Sequence, residues 1–242
     1  MTDDVLAPPS FSTPPATFPG AGSFPALVDA RYSVRAYTDE PVAPEVLTEF
    51  LTIAQRTPSW SNSQTWHVHV LQGAALTRVS TELEARVRAR TPETGSDLPL
   101  PGSFTDTEHQ RRRETGYGRY AALGIDRSDR AGRAEASYAN FSFFGAPVGI
   151  VVTSTRSVGP YGWVDAGAWL TTAQYLARDM GLGACALGSM GMQADIVHEL
   201  LGIGDGQDVV AGLALGHPDH AAPGNSYRTT RAPLDEAVTH ID

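Results

Sequence analysis

The sequence predicts an α+β fold: a three-layer α/β/α sandwich in which helices cover both faces of a mixed central β-sheet. Three observations predict it. Helical and strand periodicities are interleaved along the chain and do not segregate into halves. Residues 148–153 form an uncharged, β-branched run of the kind that fills a buried strand. Residues 164–180 carry the longest helical pattern, and between Ala166 and Ala177 that pattern holds no charge. Such a helix is expected to be buried nearly all round.

Taken in order, residues 1–23 are rich in Pro, Ser, Thr and Gly and cannot bury enough surface to order themselves, so a flexible N-terminal segment is expected. Phe11 and Phe18 are isolated in it and offer anchors for a neighbouring subunit. The domain proper is expected over 24–242. Phe24, Leu27 and Val28 mark one face of a short helix over 24–30. A second helix starts at Pro44, where proline suits the first helical position. It buries Val46, Leu47, Phe50, Leu51 and Ala54, and Pro58 ends it. Residues 66–71 read as a strand. Leu76, Val79, Leu83 and Val87 mark another helix, followed by a Pro/Gly-rich loop over 91–102. Residues 106–144 read as two Arg/Glu-rich helices broken at 124–128. Gly181 and Gly183 stop the long helix. A strand at 184–187, a helix at 194–201 and a last strand at 209–215 complete the pattern.

Composition narrows the function. At 242 residues and 41% hydrophobic, the chain can bury a large core. Its formal charge of −9 gives it no general attraction to nucleic acid or anionic membranes. Its one cysteine, Cys185, excludes an internal disulfide and any Cys-rich metal site; in an apolar strand it reads as structural. The start of the chain lacks a basic, then apolar, secretory pattern, and residues 164–182 are too polar for a membrane span. A cytoplasmic protein is expected.

Converging arginines in so acidic a chain point to a local site. Arg31, Ser33 and Arg35 are spaced two apart, so an extended backbone points all three one way. Two guanidiniums and a hydroxyl suit a phosphate; the same arginines also suit surface pairs with Asp29, Asp39 or Glu40. Arg228 and Arg231 join them only if the fold returns the C-terminal segment. Ser59, Ser61, Asn62 and Gln64 suit the polar edge of a heterocycle or an ordinary turn. Trp60, inside that turn, is the better candidate for a ligand contact, and Trp66 for the core. The helix between these two groups is expected to carry both into one cleft. His67 and His69 share a strand face with no third metal ligand placed by the sequence, and no metal site is expected. There is no Gly-x-Ser-x-Gly elbow, no phosphate-binding Gly-x-x-x-x-Gly-Lys loop and no Gly-x-Gly-x-x-Gly after a strand. Any chemistry therefore belongs to a bound cofactor.

The blocks Arg31-Tyr-Ser-Val-Arg-Ala-Tyr37, Pro58-Ser-Trp-Ser-Asn-Ser-Gln-Thr-Trp66, Asn140-Phe-Ser-Phe-Phe-Gly-Ala-Pro-Val148, Trp163-Val-Asp-Ala-Gly167, Gly181-Leu-Gly183 and Arg228-Thr-Thr-Arg-Ala-Pro-Leu-Asp235 follow one another in an order and spacing that resemble the FMN-dependent nitroreductase family over residues 24–240. The resemblance implies an intertwined homodimer with two FMN molecules at the subunit interface. It implies that Arg31, Tyr32, Ser33, Arg35, Arg228 and Arg231 hold the phosphate and ribityl end. Ser59, Trp60, Asn62 and Gln64 would line the ring, and Ala186, Leu187, Gly188 and Ser189 its other face, with the Gly188 N–H near flavin N5. Asn140 would be a further contact, and Trp60 and Ser61 would face the substrate. No side chain is implied as acid or base. NADPH or NADH would reduce the flavin and a nitroaromatic or quinone-like acceptor would reoxidise it, in ping-pong order. The same fold also serves dehalogenation, dehydrogenation or flavin breakdown, and a non-catalytic FMN-binding module is the third alternative. Trp60, Thr65 and Ala186 depart from the family's usual small residue, proline and proline.

Overall fold

A computed structural model describes residues 23–90 and 95–241. The expectations for the N-terminal segment and its two phenylalanines, and for part of the 91–102 loop, lie outside the described residues.

Four strands form one sheet in the order β1-β2-β4-β3: β1 (Trp66–Gln72), β2 (Val148–Thr155), β3 (Gly183–Leu187) and β4 (Gln207–Gly216). All three ladders are antiparallel. The mixed character enters at the β3 edge, where Ser33 bridges Ala184 in the parallel sense. Period-two alternation turns Ile150 and Val152 to one face of β2 and Val151 to the other. The first face packs on α2 (Pro44–Ala54) and α6 (Pro160–Asp179), burying Phe50, Trp169, Leu213 and Leu215. The second packs on α3 (Gly73–Ala89) and α8 (Ala194–Leu201), burying Leu83, Phe143, Met190 and Val209. This is the three-layer sandwich.

Two expectations about helix burial need correction. Within one chain α6 buries one face only: Ala166, Trp169, Leu170, Ala173 and Ala177 are covered, whereas Tyr161 and Val164 are 60% and 68% exposed. On that side the described residues supply Trp60, stacked on Tyr161, and Phe24, edge-on to Tyr175, and leave Val164 exposed. Of the expected face of α1 (Phe24–Ala30), Leu27 alone is buried; Phe24 stands 66% exposed, edge-on to Tyr175. α6 also begins four residues earlier than its apolar pattern, because Gly159 turns the chain with φ +61° and Pro160 presets the first turn.

Two helices stand apart from the core. α4 (Asp106–Ala122), with a Thr105/Glu108 capping box, and α5 (Arg130–Tyr138) contain no buried residue. α4 leans instead on the C-terminal segment through the Arg111–Glu236 ion pair and a close Gly118–Tyr227 approach, where a Cβ would strike the ring.

Asp97 clamps the loop after α3 to the sheet. Its carboxylate accepts from the Val209 N–H at 2.8 Å, Arg156 Nη2 at 2.7 Å and His198 Nε2 at 2.7 Å. His198 Nδ1 faces the Ile203 carbonyl at 3.0 Å, so both ring nitrogens meet acceptors and the ring is held as an imidazolium. Burial opposes that charge, but the Ile203 carbonyl and the Asp97 carboxylate outweigh it and raise the pKa. A raised folded-state pKa contributes stability that is fully present below the unfolded value, about 6.5, and is lost as pH rises through the folded one. The stability gap between wild type and His198→Gln is therefore expected to shrink as unfolding is measured from pH 5.5 to pH 8.5. A gap independent of pH would contradict the imidazolium.

Candidate functional site

The N-terminal arginine segment runs along the β3 edge, held by Val34 N–H to Ala184 O at 3.1 Å and Thr38 N–H to His217 O at 2.9 Å. On its outer side lies a cleft of about 830 Å³. The fold returns the C-terminal segment to it, so Arg31, Tyr32, Ser33, Arg35, Arg228 and Arg231 line one space, as expected. Arg119 from α4 and Arg178 from α6 line it too, which sequence reasoning missed. Six arginines thus surround the cleft, against one carboxylate, Asp29.

Three of the six guanidiniums lie over aromatic rings, and among the described residues none of the six pairs with a carboxylate. Arg228 lies 3.4 Å over the Tyr32 ring, and Arg35 and Arg119 approach Phe144 at 6.0 and 5.5 Å. Arg35 Nε and Arg119 Nε are buried without a hydrogen-bond partner among the described residues. Burial and then the Arg35 charge push the pKa of Arg119 down. Desolvated donors in mutual repulsion fit an anion with several oxygens, and the flavin phosphate is such a group.

Of the residues expected at the ring, the 59–64 group does not line the arginine cleft. Ser59, Trp60, Ser61, Asn62 and Gln64 form a tight turn pinned to α6 by a buried carboxylate: Asp165 accepts from the Trp60 N–H at 3.0 Å and from Ser63 Oγ at 3.5 Å. The arginine cleft touches α6 at Tyr175 and Arg178, ten to thirteen residues further on, or roughly 15–20 Å along the axis. α2, about 16 Å long, packs against α6, and residues 59–64 do not line the arginine cleft. That corrects the expected role of the intervening helix.

The turn is strained as functional loops often are. Ser61, Asn62 and Gln64 have φ of +51°, +55° and +47°, a left-handed conformation that costs non-glycine residues about 1 kcal/mol or more each. Trp60 is 58% exposed and stacks on Tyr161 with ring centroids 4.7 Å apart. Trp66, by contrast, is core, its Nε1–H donating to Gln55 Oε1 at 2.7 Å. Thr65 is buried, its hydroxyl within 3.5 Å of Ser154 Oγ under the first turn of α6.

Ala186, Leu187, Gly188 and Ser189 continue the same sheet edge into the short α7 (Gly188–Gly191). Ala184 sits beside Ser33, and Gly188 lies four residues on, about 13 Å along the strand. Ala186 and Gly188 are exposed, Leu187 is buried, and open space surrounds the Gly188 Cα. The Ser189 hydroxyl is buried without a partner among the described residues. Asn140 does not line the cleft; its amide donates to Ser137 O at 2.6 Å. Burial raises the Cys185 thiol pKa, which keeps it protonated. The His67 and His69 rings lie 4.7 Å apart, and no group of three metal-ligating side chains occurs among the described residues.

The profile of the Nitroreductase family matches residues 28–217. A 4-nitrobenzoate reductase of Pseudomonas putida is 34% identical over 218 residues, covering 90% of this chain and 95% of the relative. An FMN and NADPH-dependent nitroreductase, NfnB, from Sphigopyxis sp. strain HMH superposes with a TM-score of 0.87 at 36% identity, over 91% of this chain and 99% of that one. The FMN-dependent nitroreductase NfnB from Mycobacterium smegmatis, solved in complex with NADPH, does so with a TM-score of 0.83 at 28% identity, over 89% and 96%. With the arginine cleft on one sheet edge and the match running through the whole sandwich, the chain belongs to the Nitroreductase family.

Proposed function

We propose that this protein is an FMN-dependent oxidoreductase that takes hydride from NAD(P)H and reduces nitroaromatic or similarly electron-poor acceptors, working as a cytoplasmic homodimer. What carries the reading is the arginine cleft at the β3 edge, with two buried Nε donors that have no partner among the described residues. The relatives' activities support it. Among the described residues no helix is long and apolar enough to cross a membrane. Residues 24–242 are assigned to a single cofactor-binding domain, preceded by the segment 1–23.

In this reading Arg31, Arg35, Arg228 and Arg231, helped by Arg119, hold the phosphate, while Ser33 and Tyr32 flank the ribityl chain. Ala186, Leu187, Gly188 and Ser189 run under the ring, with the Gly188 N–H directed to its N5. Ser59, Trp60, Asn62 and Gln64 are supplied by a second copy, because one chain holds them too far from its own arginines. The exposed residues of α6, Val164 among them, give that second copy its seat, and Asn140 contacts the cofactor from the same side. Bound there, FMN supplies the two-electron chemistry that no side chain of this site offers. The protein's own contribution is to fix the ring, exclude water and stabilise developing negative charge with fixed donors.

Two measurements test this. Initial rates with NADPH and 4-nitrobenzoate varied together are expected to give parallel double-reciprocal lines; intersecting lines or no turnover would overturn the reading. Trp60 and Ser61 are assigned to the acceptor. Trp60→Ser opens that space and is expected to raise kcat/KM for bulky over small nitroaromatics by roughly tenfold. An unchanged ratio would remove Trp60 from the acceptor pocket.

A further inference from the structure

Every arginine assigned to the phosphate sits on one of two segments far apart in sequence, or on a neighbouring helix. The two segments meet at one buried side chain that touches no ligand space of its own. Asn225 is 3% exposed. Its Oδ1 accepts the Arg35 main-chain N–H at 2.7 Å. Its Nδ2 donates to the Ala36 carbonyl and the Asp219 carbonyl, both at 2.8 Å. Its own carbonyl accepts from Arg228 Nη1 at 2.6 Å. One amide therefore fixes the main chain beneath Arg35 and, through its backbone, the guanidinium of Arg228.

We propose that Asn225 is a positioning residue for phosphate recognition, the pin that sets the N-terminal and C-terminal arginines at one spacing. The inference rests on the cofactor reading above. The chemistry permits few substitutes. The position needs one acceptor facing an N–H and two donors facing carbonyls, in one plane, and only a primary amide on a short stem has them. An aspartate in its place sets carboxylate oxygen against two carbonyl oxygens and adds negative charge beside the cleft. A leucine leaves the Arg35 N–H unpaired and takes one of two donors from each of the Ala36 and Asp219 carbonyls. Arg228 keeps the main-chain carbonyl of residue 225, but the side-chain amide no longer fixes where that carbonyl sits.

The test compares FMN with riboflavin, which has the same ring and ribityl chain but no phosphate. Both are titrated by fluorescence into wild type, Asn225→Ser and Asn225→Asp. Both variants are expected to weaken FMN about tenfold or more and riboflavin less than twofold. In Asn225→Asp the FMN penalty, taken against wild type at each pH, is expected to shrink from pH 8 to pH 5 as the carboxyl protonates and donates again. Riboflavin binding also reports that the variants fold. Equal losses for both ligands, or none, would overturn the positioning role. A wild type that binds FMN no more tightly than riboflavin would instead remove the phosphate reading, and this inference with it. Hydrogen exchange on the wild type needs no variant: inorganic phosphate is expected to slow peptides covering 31–36 and 219–228 together. Slowing of one segment alone would also overturn it.

Discussion

Replacing Arg31 and Arg35 together by alanine is expected to weaken FMN binding by roughly 10²–10⁴-fold, since each charge-assisted contact to a phosphate contributes about 1.5–3 kcal/mol. The fold should survive. Arg35 anchors its segment through its main-chain N–H, which alanine retains, and among the described residues its side chain donates only to the carbonyl of Ser33 and lies over Phe144. The ligand-free protein should even gain slightly, because six arginines around one carboxylate repel one another. Flavin-fluorescence titration paired with a thermal melt checks both halves. Retained affinity would contradict the phosphate site, and a collapsed melt would show that the arginines are structural.

Trp169→Ala is expected to cost about 3–5 kcal/mol, a large share of the roughly 5–15 kcal/mol that holds a domain of this kind together. Trp169 is fully buried between α6 and the sheet, in the same cluster as Phe50, Ile150 and Leu213. Its Nε1–H shares Gln55 Oε1 with that of Trp66, at 3.2 Å, so the alanine also removes one of two donors to that oxygen. Trp169→Phe keeps most of the ring and should cost clearly less. Urea unfolding of both variants measures the difference; a loss below about 1 kcal/mol for the alanine would show that the α6 face packs loosely.

Elements whose identity is set by their own periodicity were legible in the sequence. The helices 24–30 and 194–201 fall where the pattern puts them, and the buried strand within Val148–Thr155 is visible as an uncharged run. The charge-poor stretch of α6 was legible as a helix, but which of the helix's residues the fold leaves exposed, Val164 among them, no local pattern can state. The cleft was half legible. The two-residue spacing of Arg31, Ser33 and Arg35 pointed to one face, and the C-terminal arginines were visible as candidates awaiting a fold. Arg119 and Arg178 were not, because each sits in a helix whose local sequence gives it an ordinary solvent role. Asn225 follows Pro223 and Gly224 and looks like one more turn residue; its four bonds to distant backbone and to Arg228 exist only in three dimensions. Asp165 was visible as a polar interruption of an apolar helix, and its purpose, holding the Trp60 turn, required the fold. Separation of the two halves of the site was the real miss. A helix between two motifs suggests a bridge into one cleft, whereas none of residues 59–64 lines the arginine cleft.

Anaerobic titration of the FMN-loaded protein with NADPH tests the central claim most directly. The account predicts a yellow protein with one flavin per chain, bleached by one equivalent of NADPH and recoloured by addition of a nitroaromatic acceptor. A protein that retains no FMN on reconstitution, or whose bound flavin stays oxidised with both NADPH and NADH, would contradict it.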